Sequence, residues 1–419
     1  MGRAPSPTAP FVPTAPTGRI APVAPVPADT VPFVDLAPQN DLVRPEVRRR
    51  WDEALDAGTF ILGEEVERFE AEAAAAWSVA HCVGVGSGTD AVEVALRAAG
   101  VGPGDEVVVP AFTFAGSAVG VVRCGARPVF ADVDDETLLV DPASVAAAVG
   151  PATAAVVAVH LYGQMADVAA LGRLCARHGI ALVEDGAQSH GARADGAPVG
   201  PRSFAAATSF YPTKNLGAWG DGGAVLTDDP AVAAAARAIR NYGSTGKYDH
   251  GRFGFNSRLD VLQAAVLRAK LPHLGTWNAQ RQEAARRYDE LLAGCAAVRR
   301  PAVRAGNDHV WHLYAVRVGR RDDCRQALQA AAVGSGVHYP APLHLLPMFG
   351  GGRDGAPAGS LPVAESAAGE VLSLPLFPGI TASQQERVAA VLTRWAASPS
   401  RPVAGRPQGG AGAASRASA

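Results

Sequence analysis

Apolar residues along this chain fall into short unbroken runs separated by stretches of helical period. Residues 89–99 are helical in period, with Val92, Leu96 and Ala99 on one face. Val107-Val108-Val109 forms a short strand, 114–124 returns to helix, and 127–131 is strand again. The β runs at 154–160 and 180–184 flank a helix over 165–178; two more runs follow at 205–210 and 223–227, and then a helix at 230–240. Strands that are apolar at every position need cover on both faces. Such strands alternating with helices predict an α/β fold around a mainly parallel sheet. Ligands of such sheets bind at the C-terminal ends of strands, and Asp185 and the Gly86-Ser87-Gly88 loop fall at such ends.

The texture changes near Leu271. A long charged helix spans 277–292, an alternating strand 310–318 and a further helix 322–332. A Pro- and His-rich stretch at 337–347 leads to Leu374-Pro375-Leu376 and a last helix at 382–395. The pattern predicts a large domain over 31–270 and a smaller α+β domain over 271–397. The Pro-rich residues 1–30 and the Gly/Ala/Ser-rich residues 398–419 are expected to be disordered tails.

Composition narrows the function classes. Of 419 residues, 48% are hydrophobic and 19% charged, an ordinary balance for a chain with a large core. A formal net charge of −2 gives no electrostatic reason to bind nucleic acid or an anionic membrane. The N-terminal stretch lacks the basic start and apolar core of a signal peptide, and no apolar run is long enough to span a membrane. Five scattered cysteines without a C-x-x-C pair suggest reduced thiols, a cytoplasmic location and no metal site.

Candidate chemistry centres on Lys214, in Ser209-Phe210-Tyr211-Pro212-Thr213-Lys214-Asn215. A lysine amine can condense with an aldehyde once desolvation has helped it lose its proton. Asp185, at the end of an apolar strand, can hold a pyridine nitrogen protonated through opposite charge and a charge-assisted hydrogen bond. Gln188, one turn on, is a candidate donor to a phenolic oxygen. The backbone at Gly88 and Thr89, where a helix begins after glycines, makes an anion site, and Ser209 can add a hydroxyl. Phe114, or else Phe112, can stack on a ring. Taken singly, each residue has a plainer reading as a turn aspartate, strand-end serine or core aromatic. Taken in this order they describe a pyridoxal 5′-phosphate (PLP) site, with the aldehyde and the ring nitrogen held from adjacent strands.

These residues lie in motifs that resemble the DegT-type sugar aminotransferases, PLP enzymes of the aspartate aminotransferase fold (fold type I). The resemblance runs over 31–395. It includes Phe60-Ile61-Leu62-Gly63, Gly86-Ser87-Gly88-Thr89, His160-Leu161-Tyr162-Gly163, Glu184-Asp185-x-x-Gln188, the Lys214 motif, Gly254-Phe255-Asn256-Ser257-Arg258 and His338-Tyr339-Pro340. It implies a large domain with a mixed, mainly parallel sheet and a smaller α+β domain. It implies that Lys214 condenses with the cofactor, Asp185 binds the ring nitrogen, Gln188 lies near the phenolic oxygen and Phe114 stacks. Gly88, Thr89 and Ser209 would bind phosphate, and Asn256 would reach the phosphate of a neighbouring subunit in a homodimer with shared active sites. L-Glutamate would supply the amine and a nucleotide-linked (dTDP) keto sugar would receive it at C3, with Tyr211, His338 and Tyr339 lining the sugar pocket. Amino-sugar synthesis for a secondary metabolite is the implied setting. The segment Ala111-Phe112-Thr113-Phe114 looks more like a 4-amination branch, and Trp219 stands where a smaller aliphatic is usual. Dehydration or cyclisation within the family, and a non-enzymatic PLP-binding regulator, are the alternatives. Sugar dehydratases of this fold tend to carry histidine where this chain has Lys214.

Overall fold

The computed structural model describes residues 30–246, 248–351 and 356–398. The predicted tails, apart from Thr30 and Ser398, lie outside the described residues. Two helices open the described chain, α1 (Ala37–Ala57) and α2 (Glu64–Trp77). Strand β1 (His81–Val85) and helix α3 (Gly88–Ala98) follow, then β2 (Glu106–Pro110), α4 (Ala115–Arg123) and β3 (Arg127–Ala131). Next come α5 (Pro142–Ala148), β4 (Thr153–Val159), α6 (Val168–His178), β5 (Ala181–Asp185), β6 (Ala205–Ser209) and β7 (Gly223–Thr227).

These seven strands form one sheet in the order β1-β7-β6-β5-β4-β2-β3. Only β7 runs against its neighbours, pairing antiparallel with β1 and β6, while the other pairs are parallel. The sheet is therefore mixed and mainly parallel, as the strand pattern implied. Alternate residues of each strand feed two separate apolar layers. Val107, Val109, Ala155 and Val157 face one layer, and Val108, Val156, Ala158 and Leu182 the other. That double cover is why the strands carry no polar alternation.

Helix starts are set by local chemistry. The Ser87 hydroxyl caps α3 by accepting from the Asp90 N–H, and Asp141 and Asp229 cap α5 and α7 (Pro230–Ile239), each with proline next in the chain. Asp167 caps α6, so that helix begins at Val168 and not at Met165; Met165 instead exchanges backbone bonds with the Asn307 side chain.

Beyond α8 (Val261–Lys270) and α9 (Leu274–Leu291), β8 (Tyr314–Arg317) and β9 (Val371–Leu374) form a two-stranded antiparallel sheet. It packs with α9, α10 (Arg321–Ala330) and α12 (Ala382–Ala397) through Tyr288, Tyr314, Leu328, Leu372 and Leu392; α11 (Pro362–Glu370) runs directly into β9. The strand predicted over 310–318 is shorter than its alternation suggested. Trp311 has φ 48°, outside extended backbone, and Val310 and Leu313 donate to the carbonyls of Gly163 and Tyr162 instead of to a ladder. That bend places His312 and Leu313 in the lining of a cleft at the strand ends of the large sheet.

Candidate active site

A cleft of about 500 Å³ opens at the C-terminal ends of β1, β5 and β6. It collects Gly88, Thr89, Phe114, Asp185, Gln188, Ser209, Tyr211, Lys214, His338 and Tyr339. Ten of the eleven residues singled out from the sequence thus meet in one place. Asn256 is the exception: it is exposed and lies outside this lining. Phe114 faces the cleft and is 58% exposed, whereas Phe112 is core, packed with Leu139 and Leu161. Trp219 also lies outside the lining. It meets Trp51 edge-on and its indole N–H donates to Asn40 Oδ1, which accounts for a large side chain at that position.

Asp185 ends β5 with its carboxylate buried. The Ser117 hydroxyl donates to Oδ2 at 2.7 Å and the Ala187 N–H to Oδ1 at 3.1 Å. Its neighbour Glu184 points to the opposite face. There Gly200 N–H and the His160 ring satisfy it, and because Ala166 N–H donates to His160 Nδ1, the ring proton sits on Nε2 facing Glu184 at 2.7 Å. One strand end therefore offers a single carboxylate to the cleft.

Lys214 lies in the tight coil after β6, its own N–H bonded to Tyr211 O at 2.9 Å. Burial drives its amine down from the usual lysine range to about 8, against the opposing pull of the Asp185 carboxylate. An amine near that value exchanges protons readily close to neutral pH. Gly217 is needed for this coil, since a Cβ there would sit 2.3 Å from Pro212 O.

The anion end is equally specific. A Cβ on Gly88 would lie 2.5 Å from Ser209 Cβ, so glycine is what lets the helix start approach the serine. First-turn N–H groups have no acceptor within their own helix, and the dipole of α3 adds positive potential at that point. Glycine, free amides and a hydroxyl fit a phosphate. Lysine and carboxylate fit an aldehyde and a pyridine nitrogen. The residues present thus fit PLP.

The opposite wall comes from the bend and from residues 338–339. His312 Nδ1 pairs with Asn215 Oδ1 at 3.2 Å, while Asn215 Nδ2 is held by Asn278 Oδ1 and Val310 O, both at 2.9 Å. His338 Nδ1 pairs with Ser373 Oγ at 2.9 Å, and its ring stacks on Phe33 at 5.7 Å. Gln188 amide nitrogen donates to Tyr339 Oη at 3.0 Å, and its oxygen accepts from Tyr162 N–H at 2.6 Å. Tyr162 in turn donates to His338 O. Burial, reinforced by the Lys214 cation, holds His338 down at about 4 and His312 well below the histidine range. Both rings are neutral near pH 7. Sequence reasoning did not find Ser117, His312 or Asp221, which also line the cleft. The partners of Ser117 and His312 are brought in from far along the chain, and no local motif marks those two.

Comparison with known proteins settles the family. Residues 42–393 match the model of the DegT/DnrJ/EryC1/StrS aminotransferase family. The chain belongs to that family. A relative from Streptomyces venezuelae, dTDP-3-amino-3,4,6-trideoxy-alpha-D-glucose transaminase, is 47% identical over 366 residues, covering 87% of this chain and 96% of its own. One from Geobacillus stearothermophilus, described as a pleiotropic regulatory protein, is 46% identical over 360 residues, covering 85% of this chain and 96% of its own. The crystal structure of S. venezuelae DesV in complex with a ketimine intermediate superposes with a TM-score of 0.86 at 47% identity. That match covers 88% of this chain and all of that one. The fold is that of the PLP-dependent transferases of fold type I; the chain is an aminotransferase and PLP is its cofactor. Among the described residues no helix is long and apolar enough to cross a membrane.

Proposed function

We propose that this aminotransferase moves an amino group from L-glutamate to C3 of a dTDP-linked keto-deoxysugar, in the synthesis of an amino sugar for a secondary metabolite. The observation that carries the proposal is the pairing of Lys214 and Asp185 across one cleft, in a chain 47% identical to a transaminase named for a 3-amino sugar. When bound, PLP supplies an aldehyde that takes up the amine and a protonated ring that draws electrons from the adjoining carbon.

The residues divide the work. Asp185 holds the ring nitrogen and its proton, and Phe114 covers the ring face. Gly88, Thr89 and Ser209 hold the phosphate, and Gln188, fixed between Tyr162 and Tyr339, stands at the phenolic oxygen. Lys214 Nζ takes and returns the protons that move between the amine-bearing carbons, which its value of about 8 permits near neutral pH. His338 and Tyr339, with Tyr211 at the mouth, form the sugar wall. A neutral imidazole there can accept from a sugar hydroxyl without adding charge.

A second copy of the chain completes the site. Lys214 is the one cation lining the cleft among the described residues, beside two carboxylates, Asp185 and Asp221. Glutamate brings two carboxylates and the nucleotide a pyrophosphate. We therefore infer a homodimer in which exposed Asn256 and its surroundings reach the partner's phosphate site. The five buried, unpaired thiols accord with a cytoplasmic enzyme.

The test is to incubate the enzyme with PLP, L-glutamate and the 3-keto and 4-keto isomers of a dTDP-6-deoxyhexose, and to identify products by mass and NMR. The proposal expects an amine on C3 and an equal amount of 2-oxoglutarate. Amine on C4 alone, or loss of water with no gain of nitrogen, overturns it. Nucleic-acid binding at moderate salt with no turnover would instead favour the regulatory role for which the G. stearothermophilus relative is named.

A further inference from the structure

We propose that Ser117 is a positioning residue that sets the Asp185 carboxylate toward the cofactor's ring nitrogen, an inference that rests on the reading of Asp185 above. Ser117 sits in the first turn of α4, lines the cleft and is 2% exposed. A serine so placed in a helix commonly bonds back to nearby backbone. Here its hydroxyl reaches across to Asp185 Oδ2 at 2.7 Å, within the range of a charge-assisted bond.

The direction of that bond is forced. An ionised carboxylate only accepts, so the Ser117 proton lies toward Asp185. The Ser117 oxygen keeps its own lone pairs, and with its proton committed to Asp185 the Thr113 hydroxyl, 3.4 Å away, is the donor of that pair. Ala187 N–H holds the other carboxylate oxygen. Two donors, one on each oxygen and from separate elements, fix the plane of the carboxylate while leaving each oxygen a lone pair for a further donor.

Phe114, at the N-cap of the same helix, faces the cleft three residues earlier. The turn between them is tightly seated: a Cβ on Gly116 would lie 2.9 Å from both Phe114 Cδ1 and Thr89 Oγ1. One helix start thus sets both the cover of the ring and the group that receives its nitrogen. Without the Ser117 hydroxyl, one buried carboxylate oxygen loses its donor and the side chain is free to turn away from the nitrogen.

The experiment measures equilibrium binding to the full-length apoenzyme of PLP and of an analogue in which C–H replaces the ring nitrogen. The ratio of the two affinities reads the carboxylate–nitrogen contact and is insensitive to general loosening of the site. Ser117→Ala is expected to lower the ratio about tenfold, the size of one charge-assisted hydrogen bond, while leaving affinity for the analogue nearly unchanged. Ser117→Cys, which keeps the volume with only a weak donor, serves if the alanine variant does not fold and should lower the ratio in the same direction. Asp185→Asn should collapse the ratio toward one. A collapse with Asp185→Asn but an unchanged or larger ratio in the Ser117 variants overturns the Ser117 inference alone. An unchanged ratio with Asp185→Asn overturns the reading of Asp185, and the Ser117 inference with it.

Discussion

The floor of the cleft and its far wall are built differently. On the floor, Gly88, Asp185 and Ser209 sit at or just past the ends of strands of one sheet, with Lys214 in the coil beyond, so the backbone ladder sets their spacing. On the wall, His312, His338 and Tyr339 come from a bend and a loop, and their places depend on side-chain partners: Asn215, Ser373 and Gln188. On the proposed reading the floor meets what every substrate shares, the cofactor, and the wall meets what distinguishes one sugar from another; loops can vary there without disturbing the sheet.

Breaking the floor should cost most. Lys214→Ala is expected to lower turnover at least ~10³-fold, because the proton-transfer group and the cofactor's attachment go together. Steady-state release of 2-oxoglutarate checks it. Gly88→Ala comes next: the new Cβ meets Ser209 Cβ at 2.5 Å, and PLP affinity should fall roughly 100-fold by loss of the phosphate seat, in line with the large effects of small misplacements. Gly102→Ala, where a Cβ meets nothing within 4 Å, should leave PLP affinity unchanged in the same titration.

The buried histidines, His338 of the wall among them, should show themselves in acid. His338 is held at about 4 by burial and the Lys214 cation, and His190 and His309 at about 3 chiefly by burial. In the unfolded chain each titrates near ~6.5. Between those values the unfolded state binds more protons, so stability is full above about pH 6.5 and declines as pH falls toward 4. Thermal melts of the apoenzyme from pH 7 to 4 should show this slope, and His338→Gln should make it shallower. A wild-type melt independent of pH over that range contradicts the assignment of neutral buried rings. The smallest effect expected is that of Tyr339→Phe, which removes the acceptor for the Gln188 amide. About 1 kcal/mol, or several-fold in KM for the sugar, should follow with little change in PLP affinity.

The same contrast explains what was legible in the sequence. Strands 127–131 and 223–227 fell where their apolar runs put them, and the places of Asp185 at a strand end and of Lys214 in the coil after the adjacent strand were readable from the apolar runs that precede them. Helices α1, α2 and α8 were not singled out, although Val43, Val47 and Ala54 bury one face of α1. The strand expected over 310–318 broke at Trp311, where packing against the 161–163 turn overrode alternation. Ser117 and His312 carry no local signal; their partners lie 68 and 97 residues away, and only the folded chain brings them together.

The most direct test of the account is where the cofactor attaches. The PLP-loaded full-length enzyme would be reduced with borohydride, digested and mapped by mass spectrometry. We predict a pyridoxyl group on Lys214 and on no other lysine, lost in Lys214→Ala. Label on a different lysine, or none at all on an enzyme that still transfers amine, would contradict it.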